Sequence, residues 1–118
     1  MTLFSSSHEW VDAEHRVGIT DYAQKELGEI VFVELPKVGD EVRAGEAAVI
    51  LESTKSAADI YAPLSGRVVE VNEAARRTPS LINRAPEKEG WLFRIAPSKE
   101  QEKGHLLSRS QYEALFSK

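Results

Sequence analysis

Apolar and β-branched residues along this chain fall in short runs separated by clusters of Gly, Pro, Asp and Ser, a spacing that predicts strands joined by turns. Strands are expected at 9–12, 16–19, 29–34, 47–52, 59–61, 66–72 and 91–96. In the sixth, Val69 and Val71 alternate with Glu70 and Asn72, as in a strand with one wet face. Short helices break the pattern. Thr20 caps a turn over 21–27 that exits at Gly28, and Thr78-Pro79 reads as an N-cap with a first-turn proline opening 80–82. Ser110-Gln111-Tyr112-Glu113 reads as a capping box leading into 114–116. The stretch 97–108 is polar and charged, a linker or frayed helix that packs the last turn onto the domain. Arg76-Arg77 falls in a polar loop.

The fold class is therefore mostly β. The chain has 118 residues, the common size of one domain, able to bury roughly 65% of its unfolded surface. At 42% hydrophobic and 29% charged it fits neither the disordered nor the membrane class, and no run approaches the ~20 apolar residues of a bilayer span. Cysteine is absent, which removes disulfides, thiolate metal sites and cysteine nucleophiles and leaves redox chemistry to a carried group. Residues 1–7 show no basic or long apolar stretch, so no secretory leader is expected and the cytoplasm is the default location. Once the β core is filled no long apolar stripe is left, so a monomer is expected.

The formal charge of −4 is concentrated in one segment. Glu29, Glu34, Asp40, Glu41, Glu46, Glu52 and Asp59 face only Lys37, Arg43 and Lys55 between positions 29 and 59, which accounts for the whole excess. Such a face repels nucleic acid and suits either plain solubility or a basic partner surface. His8, Glu9, Asp12 and His15 fit no standard metal-ligand spacing, and no metal site is expected.

Within the acidic segment, Lys55 stands amid small residues, Ser53-Thr54-Lys55-Ser56-Ala57, between two strand signals. The pattern predicts a hairpin presenting Lys55 at its turn. Small neighbours leave an ε-amine open to a modifying enzyme; on these residues alone Lys55 is either that or one more solvated lysine. Gly39-Asp40-Glu41-Val42 and Gly66-Arg67-Val68-Val69 echo each other on either side of it, suggesting two similar halves.

Several further stretches occur in order: His8-Glu9-Trp10, Val17 to Gln24, Leu27 to Pro36, Val38-Gly39, Glu52 to Ser56, Asp59 to Pro63, Ser65-Gly66 and Gly90 to Phe93. In these the chain resembles the glycine cleavage H proteins. The resemblance implies a barrel-sandwich hybrid, the flattened β-barrel of lipoyl and biotinyl carriers, with short N- and C-terminal helices. It implies a single domain over 1–118, with a lipoyl-like core at about 29–96 and a tail and helix at 97–118. It also implies that lipoate is joined by an amide to Lys55. Biotin carriers share the core, but their lysine is flanked by methionines, whereas Thr54 and Ser56 stand here and Met1 is the one methionine of the chain.

By the same resemblance the protein is a carrier and not an enzyme, shuttling the aminomethyl intermediate of glycine from glycine decarboxylase to aminomethyltransferase. Dihydrolipoamide dehydrogenase reoxidises the arm, and a lipoate ligase or lipoyltransferase loads it. Ser7, Glu9 and Asp59 stand where relatives hold the aminomethyl group; read without the resemblance, Glu9 and Asp59 are solvent-facing acids at strand ends. Two departures are visible. The loop 12–16 is short, and Asn83 to Gly90 carries Glu87 and Glu89 where relatives have an aromatic Pro-Tyr pair and a further glycine. That second departure implies an alternative role, a relay donating lipoyl groups to other lipoyl domains.

Overall fold

A computed structural model describes residues 1–116; the last two residues of the tail and helix expected at 97–118 lie outside the described residues. Alternating side chains and glycine turns build nine strands among these residues: β1 (Leu3–Phe4), β2 (Glu9–Val11), β3 (Arg16–Ile19), β4 (Ile30–Glu34), β5 (Glu41–Val42), β6 (Ala47–Ser53), β7 (Ala57–Tyr61), β8 (Gly66–Val71) and β9 (Phe93–Pro97). Four helices accompany them: α1 (Asp21–Leu27), α2 (Glu73–Arg77), α3 (Ser80–Arg84) and α4 (Arg109–Phe116). One sheet runs β1-β2-β3-β9-β8-β5 and the other β4-β6-β7. Every pairing is antiparallel.

The two sheets close on a shared core. Ile30, Val33, Val49, Leu51 and Ile60 come from the smaller sheet, and Val11, Val17, Ile19, Val68, Phe93 and Ile95 from the larger. Register shifts near Ile30, Ala47 and Val68 bend β4, β6 and β8, as bulges do where a sheet curls toward closure. In β8 the expected alternation holds from Val69 to Val71, half-buried on either side of exposed Glu70, but Val68 is the fully buried residue and Asn72, expected on the wet face, is buried. The two echoing segments pair with each other, Glu41 opposite Arg67 and Val42 opposite Gly66, the arrangement two similar halves produce.

A second cluster joins the N-terminal strands to the tail, with Phe4, Trp10 and Tyr112 buried against Trp91, Leu107 and Phe116. The Trp10 indole N–H donates to Ile19 O at 2.9 Å and to Pro86 O at 3.1 Å. Gly18 lies opposite on β3, and a Cβ there would fall 2.6 Å from the indole ring. Gly18→Ala should lower stability by about 1–3 kcal/mol through this collision, read as a lower midpoint of thermal unfolding.

Three local readings are corrected. Residues 73–77 are helix rather than polar loop, because the Asn72 side chain accepts from Ala74 N–H and caps it. In α3 the N-cap position is Pro79, without a side-chain bond, and Thr78 supplies only its carbonyl to Leu81 N–H. The capping box of α4 lies at Ser108 and Gln111: the Ser108 hydroxyl accepts Gln111 N–H, and the Gln111 side chain accepts Ser108 N–H. The polar stretch before it is a 3-10 turn over Glu100–His105, followed by a bridge from Leu107 to Phe4.

Candidate functional site

The β6–β7 hairpin ends in a turn held by its own first residue. Ser53 Oγ accepts the N–H groups of Lys55 and Ser56, each at 3.1 Å, and Ser53 N–H donates to Ser56 O at 2.8 Å. Thr54 N–H donates to Glu29 O at 3.0 Å, tying the tip to the segment entering β4. Thr54, Lys55, Ser56 and Ala57 are all exposed. The backbone of the turn is thus anchored while the lysine amine stands free, and no ion pair involves Lys55 among the described residues.

The lysine stem leans on the exit of α1. Thr20 caps this helix by accepting Ala23 N–H, and Gly28 ends it at φ 86°, with its N–H bonded to Gln24 O. A side chain there would be strained by the left-handed backbone and would also reach Lys55 Cε, which lies 2.9 Å from the position of a Cβ.

Ser7 and Glu9 are brought together, but Glu9 is not solvent-facing. It is 1% exposed. Its Oε1 accepts from the hydroxyls of Ser5, at 2.6 Å, and Ser7, and its Oε2 accepts Tyr61 N–H at 3.0 Å. Tyr61 lies at the end of β7, so this carboxylate joins the N-terminal strands to the lysine hairpin. Asp59 is exposed and opposite Ile50. It makes no hydrogen bond with Ser7 or Glu9, but stands two residues from Tyr61, about 7 Å along the strand. It also borders an acidic groove of about 440 Å³ with Glu34, Asp40, Glu41 and Glu46.

His8, Glu9, Asp12 and His15 each have partners within the fold. His8 stacks on Tyr22 at 4.7 Å and packs on Phe116 at 4.4 Å, with Nδ1 2.7 Å from the Tyr112 hydroxyl. That hydroxyl also meets Thr20 Oγ1 at 2.7 Å. His15 meets Lys103, and Asp12 holds its own turn and Arg16. This aromatic cluster, beside Ser7 and Glu9, was not legible in sequence, because Tyr112 lies 104 positions from His8.

Burial lowers the His8 pKa from its ordinary 6.5, against the opposing charges of Glu9 and Glu26. The unfolded chain therefore binds the extra proton more readily. The stabilisation is present above about pH 6.5 and is lost as pH falls from there through the lowered native value. Thermal unfolding should come earlier at about pH 5.5 than at about pH 7.5, and His8→Asn, which tolerates the residue's φ of 76°, should flatten that dependence. The Asp21 and Glu102 carboxyls are held low by hydrogen bonds, mainly from Gln24 and from Ser65 N–H respectively, so they act in a more acidic window.

Glu87, one of the two acids of the second departure, has a structural place. Its carboxylate accepts Asp21 N–H at 2.9 Å and pairs with Arg109 at 2.8 Å, and Arg109 lies over the Phe4 ring. It clamps the start of α1 to α4.

The family model for the glycine cleavage H-protein matches residues 2–118. The chain belongs to the glycine cleavage H-protein family. It is 50% identical over 117 residues to the glycine cleavage system H protein of Shewanella baltica, covering 96% of this chain and 91% of that one. To the protein of the same name from Thermotoga maritima it is 50% identical over 116 residues, with 96% and 94% covered. The crystal structure of the glycine cleavage system H protein from Mycobacterium marinum superposes with a TM-score of 0.91 at 40% identity, covering 99% of this chain and 97% of that one. The flattened barrel-sandwich and the lipoyl-carrier role in glycine cleavage are those of this H-protein family.

Proposed function

We propose that Lys55 carries lipoate as an amide and that the loaded protein moves aminomethyl cargo from glycine decarboxylase to aminomethyltransferase, with dihydrolipoamide dehydrogenase restoring the arm. The observation that carries this reading is an exposed amine, unpaired among the described residues, on a backbone turn fixed by Ser53 and Glu29, in a chain of this family. The turn fits the group: its neighbours are small, and its backbone donors are already satisfied, so acylation disturbs no fold contact.

Lipoate supplies the reactive sulfur when bound, and a tether turns each encounter with a partner's pocket into one at high effective concentration. The protein's own work is to present, hold and release, which makes it a carrier rather than an enzyme. Acylation removes the Lys55 charge, leaving the seven acids of the 29–59 segment facing only Lys37 and Arg43. A cargo bearing a primary ammonium is drawn to such a surface. Ser7, exposed and bonded to Glu9, offers the entry to the buried carboxylate, and Asp59 offers an open one nearby.

The test is exchange of labelled bicarbonate into glycine by the lipoylated protein with glycine decarboxylase. Exchange that depends on lipoylation supports the reading; none from a fully lipoylated sample overturns it. The relay alternative rests on Glu87 and Glu89, and the clamp formed by Glu87 gives the first of these a structural account.

A further inference from the structure

Two residues between α1 and β4 support the lysine hairpin from below. Glu29 O receives Thr54 N–H, and Gly28 forms the floor along which the Lys55 stem lies. Neither contact fixes the position of that two-residue floor; a single side chain from α3 does. Asn83 Nδ2 donates to Gly28 O at 2.8 Å and to Gln24 Oε1 at 2.9 Å, and Asn83 Oδ1 accepts Ile30 N–H at 2.9 Å. The backbone partners settle which way the amide faces, since a carbonyl must receive the NH₂ group and an N–H must meet the oxygen. One amide thus pins the residues on both sides of Glu29.

We propose that Asn83 is a positioning residue for Lys55: it fixes the Gly28–Glu29 floor, and through it the way the amine is presented to the enzyme that acylates it. The proposal rests on the reading of Lys55 as the acylated residue. An ordinary structural role is the competing explanation, and the molecule contains its own comparison. Asn72 likewise donates to two carbonyls, Glu89 O at 2.8 Å and Trp91 O at 2.7 Å, and accepts from Ala74 N–H. Asn72 stands at the β8–α2 corner, and its partners, in α2 and in the segment between α3 and β9, include none of the residues that touch the lysine turn. Loss of either asparagine removes similar bonds; only loss of Asn83 should reach Lys55.

Asn83→Asp tests this, because it keeps the shape and the acceptor for Ile30 N–H but sets an oxygen against Gly28 O. Two quantities are read on the full chain: hydrogen exchange at the Thr54 amide, and steady-state lipoylation by a lipoate ligase with lipoate and ATP. Asn83 is half-buried, and an acceptor left facing Gly28 O there weakens the floor by roughly tenfold, about 1.4 kcal/mol. Thr54 exchange and the KM for the carrier should therefore each rise roughly tenfold, with kcat changed less than about twofold because the amine itself is intact. Asn72→Asp should lower thermal stability comparably and leave both readings at the wild-type value.

Unchanged exchange and KM in Asn83→Asp, or an equal rise in Asn72→Asp, overturns the proposal. If Asn83→Asp does not fold, Gln24→Leu removes one of the three bonds and should shift both readings about two- to threefold in the same direction; no shift overturns it. A wild-type chain that takes no lipoate would refute the proposed function instead, and Thr54 exchange would then decide the positioning role alone.

Discussion

Lys55→Arg should abolish lipoate attachment completely while leaving the fold intact. Arginine keeps the positive charge and much of the length of the side chain, but its guanidinium stays protonated and is no nucleophile toward an activated acyl group. Lys55 is exposed and its side chain makes no ion pair among the described residues, so the substitution should change stability by no more than about 0.5 kcal/mol. Incubation with a lipoate ligase, lipoate and ATP should add one lipoyl group to the wild-type mass and nothing to the variant. Glycine–bicarbonate exchange should fall to background in parallel. The experiment also tests selection among lysines. Lys37 and Lys99 are exposed too, and what distinguishes Lys55 is a turn whose backbone is pinned from Ser53 and from Glu29. A lipoyl group found on another lysine in the variant would show that exposure alone is being recognised.

The hairpin was legible in the sequence because its signals are local, small residues between two strand patterns and a serine two positions before Lys55, whereas the tie from Thr54 N–H to Glu29 O was not. β3 and α1 were legible for the same reason, the helix by the Thr20 cap and the Gly28 exit. The two-residue strands β1 and β5 carry no periodicity and exist because partners lie alongside, β2 in one case and β8 in the other. Helix α2 was missed although Asn72, Ala74 and Ala75 formed a usable signal. The site was less legible than the fold. Glu9 looked wet because its neighbours in sequence say nothing about Tyr61, 52 positions away, whose backbone N–H it accepts. Asn83 gave no sign at all, since its three partners are 53 to 59 positions distant. Helix caps and turns are written in consecutive residues, whereas a buried polar junction is written in pairs that only the folded sheets bring together.

Glu9 separates structure from cargo handling by the choice of substitution. Glu9→Ala removes an acceptor shared by Ser5, Ser7 and Tyr61 N–H at a position 1% exposed. It leaves an unpaired backbone donor and a void, and should cost about 3 kcal/mol, or a fall of roughly 10–15 °C in the unfolding midpoint. Glu9→Gln keeps the volume and the acceptor for Tyr61 N–H. Its NH₂ group can donate to the Ser5 and Ser7 hydroxyls once these turn, and Ser5 Oγ already lies 3.4 Å from Glu9 O as an alternative acceptor for its own proton. The fold should then lose only about 1 kcal/mol, and lipoylation at Lys55 should proceed at the wild-type rate. What disappears is the carboxylate that an ammonium-bearing cargo would meet through Ser7. A charge-assisted hydrogen bond is worth about 1.5–3 kcal/mol, so ammonia release from the loaded Glu9→Gln protein, measured in a single turnover without aminomethyltransferase, should accelerate at least about tenfold. If release from that variant matches wild type while Glu9→Ala is destabilised as stated, Glu9 is a junction between the N-terminal strands and the hairpin. The cation would then have to be held elsewhere, with exposed Asp59 the next carboxylate to test.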